Sequence, residues 1–575
     1  MKVPDIPKTY KKSYSNLAGI DLANIPPMVS PSHSPDCRNV YKDYTSSAGQ
    51  AVETRPGYTT VCEQENTIYG IHRLGDDVLI HAGTTVKKWT GFPSSDTTAN
   101  ISGTYEIAAA KSVSFVFGGK LYILDGTHYL VYDGTLSRVV GYIPTTRINA
   151  DPDGGNGETF QGVNMLSQYR KNTFIGDGTS TTFHLDANGS EFTATVSGSA
   201  TTISSYTSDT VTLASAPSQD AEVIITFKAS VTDKVSKCTV ARVFDNRVFL
   251  AGNPDYKGVL FHSELDDATY FRDDIFYADG NDDVEIKSLV TSSNSLIVIK
   301  DDEGTQTTKI FYHTPSLDYD LGKVYPVTET GINLGALTEG INFYDDIVYL
   351  TSKGLDSINN GLTHRSTYID RKLVNDPHVK NSAMTVWNGY LVILCSDEIY
   401  LADSRQLNNG LYEWYIWNGI KPNSKGLYEH DGTLFYYTNN SICKFGGTND
   451  DGDAIVSYWT TPRDVFGAPA YLKTVTKRGA CAWVKGVQNS KIKISCITDK
   501  GEDFLAEYAT SGFDFTNLDF SNFSFGTSED NLVYFTIKKK KVKYFSLKFY
   551  SDILDKPFAL FGADLEYQIV AQAKK

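Results

Sequence analysis

The sequence predicts an all-β protein, and three observations carry that prediction. Tyr (36) and Phe (29) far outnumber Met (4) among the 575 residues, and aromatic side chains suit strands. No long stretch keeps an apolar period of 3.6 residues, so helix is expected to be scarce. One pattern also recurs along most of the chain: a polar Gly/Asn/Asp pair, a short apolar run, a second turn and another apolar run.

The clearest copy is TVWNGYLVILCSDEIYLAD, Thr385 to Asp403. Asn388-Gly389 accepts the positive φ angles of a tight hairpin turn. Tyr390 to Cys395 is apolar at nearly every position, which suits a strand covered on both faces. Ser396-Asp397-Glu398 then turns the chain into Ile399-Tyr400-Leu401. Related hairpins read at Leu74 to Trp89, Phe117 to Tyr132, Phe244 to His262, Ser293 to His313, Tyr344 to Ile358 and His430 to Phe445. Self-similarity of a β-unit at roughly 40 to 50 residues, once insertions are set aside, is the signature of a β-propeller. About seven blades are expected.

Taken in order, residues 1–60 do not look like a blade. Prolines at 26, 27, 31 and 35 lack amide donors and stiffen the chain, so an extended N-terminal arm packing on other surfaces is expected. The first blades occupy 61–150. Residues 151–235 alternate apolar and Ser/Thr positions with period two, as in FTATVSGSATTISSYTSDTVTLASA. That pattern predicts an inserted small β-sandwich: a spacer, or a contact for a glycan or receptor. The remaining blades fill 236–453. From 454 to 575 the strands lengthen and the Asn-Gly and Asp-Gly turns vanish, which predicts a separate C-terminal β-sandwich. Within it Lys538 to Lys541, with Lys543, reads as a hairpin turn guarding a strand edge, or as a contact for DNA or an acidic partner.

Composition bounds the chemistry. A net charge of −15 and a pI of about 5.2 argue against a protein that grips phosphates by counter-ion release. Seven scattered cysteines without a CxxC pair fit neither a zinc site nor a disulfide scaffold, so buried free thiols in a reducing compartment are expected. The N-terminus lacks the apolar core of a signal peptide, and no run approaches the ~20 apolar residues of a membrane span. A soluble protein made without a Sec-type export signal is expected.

No HExxH, GxSxG or Walker-type GxxxxGK string occurs, the ten His residues show no paired spacing, and the S-x-D-x-G-x-T-W repeats of propeller sialidases are absent. No catalytic residue and no cofactor is expected. Asn149, Asp151 and Asp153, with Gly154, are spaced like the first ligands of a calcium loop, but Phe160 stands where a bidentate Glu belongs. A solvated turn is the competing reading. Asp279 to Glu285 likewise reads as an acidic loop.

The N-terminal residues carry a resemblance. Asn16, Gly19 and Asp21, then Ser34-Pro35-Asp36-Cys37-Arg38-Asn39-Val40, Gly49 and Arg55-Pro56-Gly57-Tyr58 resemble the start of the tail nozzle, or tail tubular protein B, of short-tailed phages. Asp245 to Phe271 and Trp459 to Val475 are similar to later patches of the same family. The resemblance implies a structural virion protein on a β-propeller body, assembled in the host cytoplasm and residing in the tail. It implies a homo-oligomeric ring, a hexamer, forming part of the channel through which double-stranded DNA leaves without sequence-specific binding. Tail adaptor and tail fibre or tip proteins would be its neighbours. Asp36, Arg38, Asn39, Arg55, Pro56 and Gly57 would belong to an assembly arm. Read locally, the same arginines and Asp36 make an ion pair that fastens the arm. Two other functional classes stay open: a receptor- or glycan-binding propeller, and a propeller-type glycoside hydrolase.

Overall fold

A computed structural model of the chain describes residues 8–44, 50–303, 307–319, 322–344, 346–359, 361–408, 410–476, 479–485, 490–510 and 530–572. It is almost all β, with one four-residue α-helix, Asp370–Leu373, and one 3-10 turn, Val379–Asn381, among the described residues. The chain divides into two compact units, residues 65–92 with 97–340, and residues 1–64 with 93–96 and 341–575.

The first of these holds four four-stranded antiparallel sheets, each a meander in chain order. They begin with strands Ile68–Leu74, Val113–Phe117, Val240–Phe244 and Ile286–Thr291, and these first strands lie side by side in that order. Successive sheets stack face to face. Leu79 and Val86 of the first pack on Leu121, Ile123 and Leu130 of the second. Tyr122, Leu124 and Tyr129 pack in turn on Val248, Leu250 and Phe261 of the third. Phe249 and Leu260 then meet Leu289, Val298 and Phe311 of the fourth. A middle strand is therefore covered on both faces, which is why its sequence is a continuous apolar run instead of an alternation.

Between the second and third sheets, strands from Thr145–Ala150 to Glu222–Ala229 form a six-stranded and a three-stranded sheet. Phe174, Phe183, Val211, Ile225 and Phe227 close a core of their own. This sandwich starts earlier than the expected boundary at 151, because Thr145–Ala150 pairs in parallel with Tyr169–Ile175. Parallel pairing of a half-polar strand leaves no hairpin signal in sequence.

The other unit holds two more four-stranded sheets, over residues 341–364 and 383–417, and a six-stranded one built on residues 426–445 and extended by Tyr58–Glu63, Asn449–Asp450 and Asp453–Ala454. In the second, Asn388 (φ 45°) and Gly389 (φ 80°) form the turn, and Tyr390–Cys395 is buried at every position. The third has only three strands from its own segment. Its fourth is Tyr58–Glu63, with Phe445 opposite Tyr58 and Ser441 opposite Glu63. This strand crosses the expected boundary at 60: it belongs to a blade-like sheet and not to an arm.

The N-terminal residues also depart from an extended arm. Thr9–Tyr14 pairs with Ala559–Gln572, Cys37–Arg38 with Ser457–Thr460, and Val40–Asp43 with Ala51–Thr54. An eight-stranded and a five-stranded C-terminal sheet thus both contain N-terminal strands, so the C-terminal sandwich is not built from 454–575 alone. Pro26, Pro27, Pro31 and Pro35 fall between these strands, where a missing N–H costs no ladder bond. The lysine run forms the short strand Lys539–Val542, paired with Tyr471–Val475 at the end of the sheet path.

Candidate functional site

Asn39 and Pro56 of the N-terminal motif meet at one buried arginine, Arg55. Arg55, 1% exposed, gives Nη1 and Nη2 to Asp450 Oδ1 and Oδ2 at 2.8 and 2.6 Å. Its Nε donates to Asn39 Oδ1 at 3.0 Å, Nη1 to Pro56 O at 2.9 Å and Nη2 to Asn418 O at 2.9 Å. A guanidinium has five N–H donors in a fixed fork, and all five are used. Asn39 sits at φ 56°, a left-handed conformation that Asn tolerates. There its Nδ2 donates to Asn418 Oδ1 and Val456 O at 2.7 and 2.8 Å. A Cβ on Gly57 would lie 1.8 Å from Asn449 O, and one on Gly19 would lie 2.2 Å from Trp414 O. Both glycines are required by close backbone approach.

Asp36 and Arg38 stand nearer the surface. Asp36 Oδ1 accepts from Tyr458 Oη at 3.0 Å and lies 3.7 Å from Arg38 Nη1, which itself donates to Cys37 O. Arg55 pairs with Asp450 and not with Asp36, so the local ion-pair reading holds for Arg38 alone. Gly49 of the motif lies outside the described residues. The six residues expected on an assembly arm are thus engaged within their own chain.

A second polar layer binds this segment to the sheet of residues 383–417. Buried Lys42 lies 3.5 Å from buried Glu413, whose carboxyl burial pushes upward. Tyr44 hydrogen-bonds Asp403, and the Arg405 guanidinium rests 3.6 Å over the Tyr44 ring and 4.4 Å over Tyr390. Such cation–π contacts add of order 0.5–2 kcal/mol each as water is excluded.

The calcium candidates turn inward. Asp151 Oδ2 accepts from Asn156 Nδ2 at 2.6 Å, Asp153 Oδ1 accepts from Gly155 N at 2.8 Å, and the Asn149 N–H donates to Thr173 Oγ1. Asn149 and Gly154 have φ 53° and 83°, so the string is a turn closed by its own donors. No group of three or more His, Cys, Asp or Glu suited to a metal occurs among the described residues.

Three imidazole clusters escaped sequence reasoning. His364 lies between Asp356 (Nδ1, 3.1 Å) and Asp370 (Nε2, 2.8 Å), and hydrogen bonds to these two carboxylates lift it to about 9. His313 is buried with Nδ1 on Tyr325 O and Nε2 on Asp279. The nearby Lys300 donates to Asp279 O and Asn281 O, and burial pulls it down to about 8. Ser112 Oγ bridges His72 Nε2 and His81 Nδ1 at 2.8 Å each. A hydroxyl and an imidazole at this distance resemble a nucleophile and its base, but all three are buried and burial holds His72 near 3. The partners of His313 and His72 are tens of residues away, and those of His364, though only six and eight residues away, lie on a neighbouring strand and a short helix. Six of the seven free cysteines are buried, and burial pushes Cys37 to about 12 and Cys496 to about 11, far from the range of reactive thiolates. Among the described residues no helix is long and apolar enough to cross a membrane.

No family model and no characterised protein matches the chain. Among solved structures it is similar to PorZ, a bacterial surface component of the type-IX secretion system of Porphyromonas gingivalis, at 11% identity and a TM-score of 0.35, over 70% of this chain and 42% of PorZ. The chain thus spans less than half of that protein. It is similar to the computationally designed Ika8 protein at 10% identity and TM-score 0.31, over 68% of this chain and 99% of that one. It is similar too to the Neurospora crassa Pan2 WD40 domain at 6% identity and TM-score 0.26, over 69% and 98%.

Proposed function

We propose that this chain is a structural protein of a phage tail, and that its six four-stranded meanders, with the six-stranded sheet built on residues 426–445, are the blades of one propeller from which a hexameric ring is built. The observation that carries the reading is the use made of the N-terminal motif. Its buried residues fasten strands of residues 9–63 to the last blade-like sheet and to the C-terminal sheets, which would hold a ring subunit stiff under load. A body of this kind suits a passive conduit: rigid, acidic overall at −15, and with the nucleophiles and imidazoles described above buried or paired. A field of that sign repels phosphates, so DNA would pass without sticking. Ring closure needs heterologous contacts that repeat around an axis. Sedimentation velocity on the purified chain, alone and with co-expressed tail adaptor, tests the assembly. A discrete species of about six copies is expected; a chain that stays monomeric in both conditions contradicts it.

A further inference from the structure

Strand Ala559–Gln572 is flanked on one edge by two different N-terminal strands that do not meet. The ladder of Thr9–Tyr14 ends with Tyr14 opposite Ala563. The ladder of Ala51–Thr54 begins with Val52 opposite Leu560. Neither reaches Phe561 or Gly562, and the notch between them is the floor of a cavity of about 710 Å³, inside the range of small-molecule sites. Gly562 keeps the notch low: a Cβ there would lie 2.5 Å from Tyr14 O.

The lining is chemically specific. On the other edge of the same strand Trp483 stands opposite Gly562, lines the cavity and is 43% exposed, unlike the fully buried Trp414, Trp417 and Trp459. The walls carry polar groups: Ser13, which hydrogen-bonds Asp564, together with Ser15, Asn16, Gln50 and Lys42, the last also 3.5 Å from Glu413. Ser15 and Asn16 also border an adjoining cavity of about 450 Å³ lined by His33, whose Nε2 is buried without a hydrogen-bond partner.

We infer that the notch is a carbohydrate subsite, taking a pyranoside whose C–H face lies on the Trp483 indole and whose hydroxyls meet the serine, amide and Asp564 groups. One accessible indole beside a ring of hydroxyls, amides, one carboxylate and one lysine matches a ligand with an apolar face and a polar rim. With Lys42 offset by Asp564 and paired with Glu413, the lining gathers no net positive charge for a polyanion, and its polar rim does not suit an apolar ligand. The inference is independent of the ring assembly, because the notch lies within a single chain.

Saturation-transfer difference NMR with the methyl glycosides of glucose, galactose, mannose, rhamnose and N-acetylglucosamine tests it. At least one glycoside is expected to bind, with saturation strongest on the C–H protons of one ring face. Trp483→Ala, at an exposed position, should keep the far-UV spectrum and weaken binding at least tenfold; Gln50→Ala should weaken it less. Tyr319→Ala, an exposed aromatic elsewhere, should leave it unchanged. Absence of transfer to every glycoside, or equal binding by Trp483→Ala, overturns the proposal.

Discussion

Arg55 and Asp450 stand 395 positions apart and share two hydrogen bonds of 2.8 and 2.6 Å in a site closed to solvent. Removing one member of such a pair strands the other charge in low dielectric, at a cost of about 3–5 kcal/mol. Arg55→Ala and Asp450→Ala should each lower the urea midpoint by a corresponding amount, and the double variant should cost clearly less than the two added. A loss below about 1 kcal/mol, typical of exposed pairs, would show that the pair does not fasten the segment.

The glycine beside the clamp should tolerate nothing larger. A Cβ at Gly57 meets Asn449 O at 1.8 Å, so Gly57→Ala must displace a backbone that pairs through Gly57 N to Gly447 O and Gly446 N to Gly57 O. Reduced soluble yield and faster amide exchange at Ser441–Phe445 are expected. Wild-type exchange there would mean that the approach is looser than described.

Burial on both faces makes the middle strands the costliest to cut. Leu391→Ala, at a fully buried position, should destabilise by about 2–5 kcal/mol. Val116→Ala, at a position 50% exposed, should stay within about 0.5 kcal/mol. Chemical denaturation of the two variants checks the contrast, and equal losses would contradict the stacked-sheet core.

Stability should depend on pH through His364. Its folded value of about 9 lies above the ordinary value near 6.5, so the folded state holds the proton more tightly. The contribution is fully present below pH 6.5 and lost as pH rises through 9. His72 runs the other way: held near 3 by burial, it favours folding above pH 6.5 and loses that contribution as pH falls toward 3. His364→Gln should flatten the alkaline limb of a melting profile between pH 6.5 and 9 and leave the acid limb unchanged. An alkaline limb identical to wild type would show that the two aspartates do not hold a proton on the ring.

What the sequence made legible follows from where apolar runs arise. All seven hairpins read from sequence are the second and third strands of their sheets, six of them four-stranded and the last six-stranded, as with Tyr390–Cys395 and Glu398–Asn408. Most of their positions are buried, and turns such as Gly118-Gly119, Asn388-Gly389 and Asp431-Gly432 carry positive φ, so composition and turn chemistry agree. The first strands, such as Val113–Phe117, alternate in exposure, and fourth strands such as Thr98–Asn100 and Leu136–Arg138 span three residues, too short to carry a period. Pairings like Thr9 with Gln568 join the ends of the chain and leave no local trace. Prolines therefore suggested an arm where the structure has strands. At the clamp, Arg55 and Gly57 stood out as unusual residues, whereas Asp450, the partner that gives Arg55 its meaning, lay in an unremarked Asn-Asp-Asp turn. The polar notch at Gly562 had no signal at all, since it arises from two strands ending short of each other.

Single-particle electron microscopy of the purified chain tests the central claim most directly. The account predicts class averages of a closed ring of six copies around an open channel, each copy containing a seven-bladed disc. Isolated particles of one copy, or a ring whose subunits lack a bladed disc, would contradict it.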